Sequence, residues 1–252
     1  MYKYILIYML LLISAMPFPV LAIDAKSVFA ESGKNFENME YDKALEGYQT
    51  LVDNGYESAS LYFNMGNCYF KQGQLGYAIL YYMKAERLNP NDDDIRTNLA
   101  FSQQFMPTRL EGVKINPVTD FLDLIVGRFT LDTIAWISSI LFILFILILA
   151  WKIYMNFSGS VFRIAIYTLL VIFVISSGLT TYKYRTEYLK ESGVIIDNEA
   201  NVYSSPSEDS EVELVGSFGL VMEITKKTDD YYLVIFENKR KGWINIKSVG
   251  II

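Results

Sequence analysis

No histidine occurs anywhere in the 252 residues, and cysteine occurs once. The first absence removes the commonest general base and metal ligand, and with them Ser–His and Cys–His nucleophile pairs and histidine-bearing metal clusters. The second leaves Cys68 without an internal disulfide partner, and its place on a packed helix marks it as a small buried residue. No glycine motif of the phosphate-cradling kind is present. Asn91-Asp92-Asp93-Asp94 lacks the spacing of a calcium loop and reads as acidic residues at a helix N-terminus. Excess positive charge is missing too. Residues 23–106 carry 7 basic against 12 acidic side chains, and 193–252 carry 6 against 10. That balance argues against nucleic acid and anionic lipid as electrostatic partners, and it weakens the anionic cell wall as a ligand. The residues nominate no catalytic, cofactor-binding or metal site, and the chain reads as non-enzymatic.

What is present begins with a repeat. Phe36 and Phe70, Ala44 and Ala78, and Tyr48 and Tyr82 are each separated by 34 residues. Between Ala59 and Asp92, Tyr62, Met65, Gly66, Tyr69, Gly73, Ala78, Tyr82, Ala85 and Pro90 stand where a tetratricopeptide helix–turn–helix unit wants its aromatic, apolar, small, turn and helix-ending residues. Small residues at 66, 78 and 85 let two antiparallel helices approach closely, Gly73 supplies the turn, and Pro90 stops the second helix. The copy over 25–58 is degenerate: Ser32 holds a small position, Met39 replaces the turn glycine, and Leu51 replaces the last alanine. Ile95, Leu99, Phe101 and Phe105 predict a capping helix that completes a short solenoid over 23–106. Tyr62, Tyr69 and Tyr82 are expected in the core. Phe29, Phe36, Phe63, Asn67 and Phe70 are expected to face a concave groove with Lys71 at its rim. There an asparagine can bond the backbone of an extended peptide and phenylalanines can anchor its side chains.

Three apolar runs frame this region. Met1–Ala22 has Lys3, an apolar run from Tyr4 to Ile13, two prolines, and small residues before a cleavage position, the pattern of a secretory signal. Thr133–Trp151 and Ile164–Tyr182 each hold 19 residues without a charge, enough to cross a bilayer as helices. Spans are expected over 133–154 and 161–182, after a juxtamembrane linker at 107–132. The short connection makes them a hairpin, so the repeats and the C-terminal segment share one side. With an exported N-terminal region, that side is the periplasm of a cytoplasmic-membrane protein. Neither span carries an ionisable residue at mid-depth, so neither provides a proton or ion path; Ser138-Ser139 and Ser176-Ser177-Gly178 are small polar positions suited to helix–helix contact.

From Gly193 the pattern becomes short alternating runs split by turn residues, and six strands in 193–252 imply a small barrel. Asn201-Val202-Tyr203-Ser204-Ser205-Pro206, Gly219, Tyr232-Leu233-Val234 and Gly242-Trp243-Ile244 resemble the bacterial SH3-like domain. Trp243 is expected to close the barrel from within, and Tyr203, Tyr231 and Tyr232 to offer a surface for contact.

The predicted fold class is therefore a multi-domain membrane protein: an all-α tetratricopeptide region, a two-helix transmembrane hairpin and an all-β SH3-like barrel. The whole layout resembles the BatE-type proteins of the Bacteroidota aerotolerance (Bat) operons. The resemblance is carried most strongly by residues 62–71, the run Gly76-Tyr77-Ala78-Ile79-Leu80-Tyr81-Tyr82 and Leu88-Asn89-Pro90-Asn91-Asp92. It implies a scaffold working beside von Willebrand factor A-type membrane proteins and a MoxR-type ATPase, with a part in stress or oxygen tolerance. The alternative is an envelope sensor that binds peptidoglycan peptides through the barrel.

Overall fold

The computed structural model describes residues 24–107, 117–155 and 159–252. The expected signal at 1–22 and residues 108–116 of the expected linker lie outside them. The chain divides into two bodies, one ending at Tyr56 and one beginning at Glu57.

The first body is a helical hairpin of α1 (Ala25–Glu37) and α2 (Tyr41–Asp53). Asp24 caps α1 by accepting the Ser27 N–H at 3.2 Å. Ala44, Tyr48 and Leu51 of α2 are buried together with Ser32 of α1. The helices close tightly there, since a Cβ on Gly47 would run into the Ser32 side chain. The turn needs a left-handed residue, and Met39 supplies it at φ +63 although its side chain is 76% exposed.

The second body opens with α3 (Ala59–Lys71), α4 (Leu75–Leu88) and α5 (Asp93–Gln103). Ser58 caps α3 through the Leu61 N–H, and Asp92 caps α5 through the N–H groups of Asp94 and Ile95. The acidic run at 91–94 is thus a helix start. Gly73 turns α3 into α4 at φ +76. A Cβ on Gly66 would stand 2.6 Å from the Tyr82 ring, so the small residue is what allows that ring into the core. Tyr62, Met65, Cys68, Ala78, Tyr82 and Ala85 are buried. Tyr69, expected among them, is half-buried; it stacks on Tyr77 and Tyr81 at centroid distances of 5.0 and 5.2 Å along the outside of the pair. On α5 the buried positions are Ile95, Leu99 and Ser102, while Phe101 and Phe105 remain exposed.

A ten-residue helix, α6 (Pro117–Val126), occupies part of the stretch expected as linker. It precedes α7 (Leu131–Tyr154) and α8 (Ser160–Glu187), both long and apolar enough to cross a membrane. The two pack along their length through Phe142 with Phe173, Trp151 with Phe162, and a Ser138–Thr180 hydroxyl pair at 3.0 Å. Ser138 is therefore spent inside the hairpin. At 28 residues α8 outruns a bilayer core of about 30 Å by roughly two turns.

The barrel follows α8 almost at once. Its strands are β1 (Glu191–Ile195), β2 (Ala200–Tyr203), β3 (Val212–Gly216), β4 (Val221–Lys227), β5 (Tyr231–Phe236), β6 (Lys241–Asn245) and β7 (Val249–Ile251). They pair antiparallel in the order β3-β2-β6-β5-β4-β1-β7. The seventh strand, absent from the sequence reading, follows a 3₁₀ turn at Ile246–Ser248 and pairs with β1. Ile195, Val202, Met222, Tyr232, Val234, Phe236 and Ile244 fill the interior. Three expectations about aromatics fail here, two of them through the two-residue period of a strand, which turns Tyr232 inward and Trp243 outward. Tyr231 and Tyr232 are 8% and 7% exposed. Tyr232 points into the core, and Tyr231, on the opposite face, lies beneath the Tyr203 ring at 6.3 Å. Trp243 is half-buried on the outer face, because Gly242 and Ile244 take the inward positions.

The barrel sits on α4. A Cβ on Gly76 would collide with the Ile196 carbonyl, and one on Gly250 with Leu80. Gly219, at φ +85, lies close against Met106 and Ile79. Ala78, Ile79, Leu80, Tyr82 and Leu99 share one buried cluster with Val194 and Phe218 of the barrel. Glycine at three contact points lets backbone meet side chain directly, which brings the two elements within full dispersion contact.

Candidate functional site

The residues expected to line a groove fall in both bodies. In the first, Phe29 leans on Tyr48 at 5.6 Å and Phe36 on Tyr41 at 5.5 Å, both half-buried. In the second, α3 brings Phe63, Asn67, Phe70 and Lys71 onto one side of the helix by their spacing of three and four. Phe63 rests on Tyr82 at 5.8 Å. The Asn67 carboxamide oxygen accepts a 2.7 Å hydrogen bond from the Tyr82 hydroxyl, which fixes its rotamer and leaves its NH₂ end as the donor to offer a ligand backbone. Phe70 packs against Phe101 and Phe105 of the capping segment at 5.8 and 6.4 Å, so part of its ring is already covered. Lys71 is exposed.

A second aromatic surface went unread in the sequence. Tyr77, Tyr69, Tyr81 and Tyr62 form a continuous ring ladder along α3 and α4, with the Lys84 ammonium 5.7 Å from the Tyr62 centroid and 5.6 Å from that of Tyr81. Burial and the nearby Arg87 charge lower the Lys84 pKa, with Glu57 opposing them. Burial, helped by Glu57, pushes the Tyr62 phenol up to about 12. Tyr62 and Tyr69 stand seven apart on α3, and Tyr77 and Tyr81 four apart on α4, so each pair shares one helix face, which is the signal that identifies such a ladder.

Where α4 ends, a charged seam joins repeat, barrel and hairpin. The Arg87 guanidinium donates to the Ile252 carbonyl at 3.0 Å. Lys183, only 5% exposed, pairs with Glu187 and donates to the Val126 carbonyl at 3.4 Å. Tyr182 donates to Asp123 of α6 at 2.8 Å. Arg87, Ile252, Lys183 and Glu187 border a cavity of about 370 Å³ together with Met83, Glu86, Pro90 and Gly127. Lys183 and Tyr182 thus hold α6 against the base of α8, and the Asn91 carboxamide, just past α4, donates to the Arg128 carbonyl at 2.7 Å and ties the turn after α6 to the repeat.

On the barrel, Tyr203, Leu233 and Trp243 lie side by side on the outer face through the β2–β6 and β5–β6 registers. Of the three tyrosines nominated for that surface, Tyr203 alone keeps partial access. The face turned to α4 belongs to other strands, so docking leaves this one uncovered by the repeat.

Comparison with known families agrees with this geometry at both ends. Residues 59–92 match the tetratricopeptide repeat, and residues 197–249 match the bacterial SH3 domain. No curated protein matches the chain. The chain joins two interaction modules. Modules of both kinds typically bind proteins or peptides without catalysis, and bacterial SH3 domains are associated with peptidoglycan. Among the described residues no group of acidic or sulfur side chains is placed to hold a metal ion.

Proposed function

We propose that this chain is a non-enzymatic membrane scaffold of the BatE type. It presents its tetratricopeptide face to a protein partner on the exported side of a bacterial cytoplasmic membrane. The observation that carries the reading is the docking of the barrel on α4 through Gly76, Ile79 and Leu80, which occupies one side of the repeat and leaves Lys71 of α3 exposed, with Phe63 and Asn67 of the same helix resting on Tyr82. The partner favoured by the resemblance is a von Willebrand A-type membrane protein of the same operon. α7 and α8 anchor the assembly, and α6 lies in the interface, since Phe121, Leu124 and Ile125 are exposed beside the pinned base of α8. The barrel adds a second contact, and tethering two weak sites to one anchor raises effective concentration.

The test is a mild-detergent pull-down of tagged protein from native membranes, wild type against Lys71→Glu and against Phe63→Ala/Asn67→Ala, with quantitative mass spectrometry. Von Willebrand A-type proteins should copurify with wild type and be depleted about tenfold or more by the variants, the range expected when an anchor residue is removed. Lys71→Glu changes an exposed side chain, so its loss of partner cannot be laid to unfolding. Enrichment of wall fragments alone would turn the reading toward an envelope sensor acting through the barrel.

A further inference from the structure

The mouth of the barrel, between β3 and the β5–β6 turn, opens into a cavity of about 300 Å³. Its floor is made of three side chains belonging to the barrel interior, Val202, Leu214 and Phe236. Its rim is Glu213 and three consecutive cations, Lys239, Arg240 and Lys241. Those are three of the six basic residues in 193–252, where acids number ten. The mouth is thus a positive spot on a negative domain. All three cations are exposed, and none is in an ion pair among the described residues.

The turn that carries them is tightly built. Phe236 N–H donates to the Arg240 carbonyl and Lys239 N–H to the Phe236 carbonyl, both at 2.9 Å, while Arg240 N–H donates to the Asn238 side chain at 3.1 Å. Lys239 sits at φ +67, the left-handed conformation that hairpins of this kind normally give to glycine. A lysine is held where the backbone favours glycine, and strain kept at a cavity rim points to a use for the side chain.

We propose that this mouth binds the C-terminal carboxylate of a short peptide. The three cations would take the carboxylate, the apolar floor the adjacent small side chain, and the Glu213 carboxylate the peptide N–H. A bare phosphate gains nothing from an apolar floor and is repelled by Glu213. A bilayer surface cannot enter a concave site of this size, which has room for one or two residues. The site shares no residue with the α4 contact or the repeat face, so it stands independently of the scaffold reading.

The experiment is titration calorimetry on the full-length protein in detergent with N-acetyl-alanyl-alanine, the same dipeptide as its C-terminal amide, and inorganic phosphate. The acid should bind, more weakly as salt rises, and the amide and phosphate about tenfold or more weakly, the factor expected from removing one charge-assisted hydrogen bond. Arg240→Gln should weaken the acid. Lys239→Gly should weaken it too while raising the thermal midpoint, because it relieves the strained turn; a loss of binding there cannot come from unfolding. Equal binding of acid and amide, phosphate as tight as the acid, no binding of the acid, or unchanged affinity in both variants would each overturn the proposal.

Discussion

At the scale of single residues, burial decides reactivity. Cys68 is fully enclosed, and burial pushes its thiol up to about 12 from an ordinary value of 9.0. The fold holds the protonated form, so its contribution is complete below about pH 9 and is lost as pH rises through about 12. The Tyr62 phenol, also raised to about 12, acts in the same direction from 10.0 upward. The protein should therefore lose stability progressively between pH 9 and 12. Ellman's reagent at pH 8 should react with Cys68 only after denaturant is added; prompt reaction of the native protein would show that the thiol is open. The burial of Cys68 was legible from a small residue set among apolar neighbours. The fate of Tyr231 and Tyr232 was not: only the register says that Tyr232 is the inward one, and Tyr231 is covered by Tyr203 of another strand.

At the scale of elements, contacts between α4 and the barrel are governed by glycines. Gly76→Ala places a methyl group against the Ile196 carbonyl, and backbone cannot swing aside as a side chain can. A loss of about 1–3 kcal/mol is expected, the usual cost of overpacking, with hydrogen exchange accelerating in α4 and β1. Gly178→Ala is the matched control, since a Cβ there meets nothing within 4 Å and a helix gains from the exchange. Equal effects from the two substitutions would mean that the barrel is not seated on α4. The helices themselves were readable from spacing, caps and small residues. Helix α6 and strand β7 were not, since one is ten residues long and the other three, each too short for a periodic signal of its own.

At the scale of the whole molecule, topology follows from connection length. Residues 188–190 alone separate α8 from β1, and Met155–Gly159 alone separate α7 from α8. With the two apolar helices in a bilayer, the second repeat and the barrel must share one side. Because native Cys68 is buried, single cysteines can report this directly. Gln74→Cys and Lys247→Cys should be labelled together by a membrane-impermeant maleimide on spheroplasts, and Gly159→Cys only after permeabilisation; labelling of all three from outside would remove the hairpin from the membrane. The sequence by itself determined the modules and their order, because a 34-residue repeat, two uncharged apolar runs and alternating strands are local patterns that local physics reads. Tertiary structure alone decided which faces remain open. The seat of the barrel on α4, the seam at Arg87 and Lys183, and the cationic mouth over Phe236 each join residues distant in the chain. No local pattern encodes such contacts: they are set by close approach and by the cost of leaving charge or backbone unpaired.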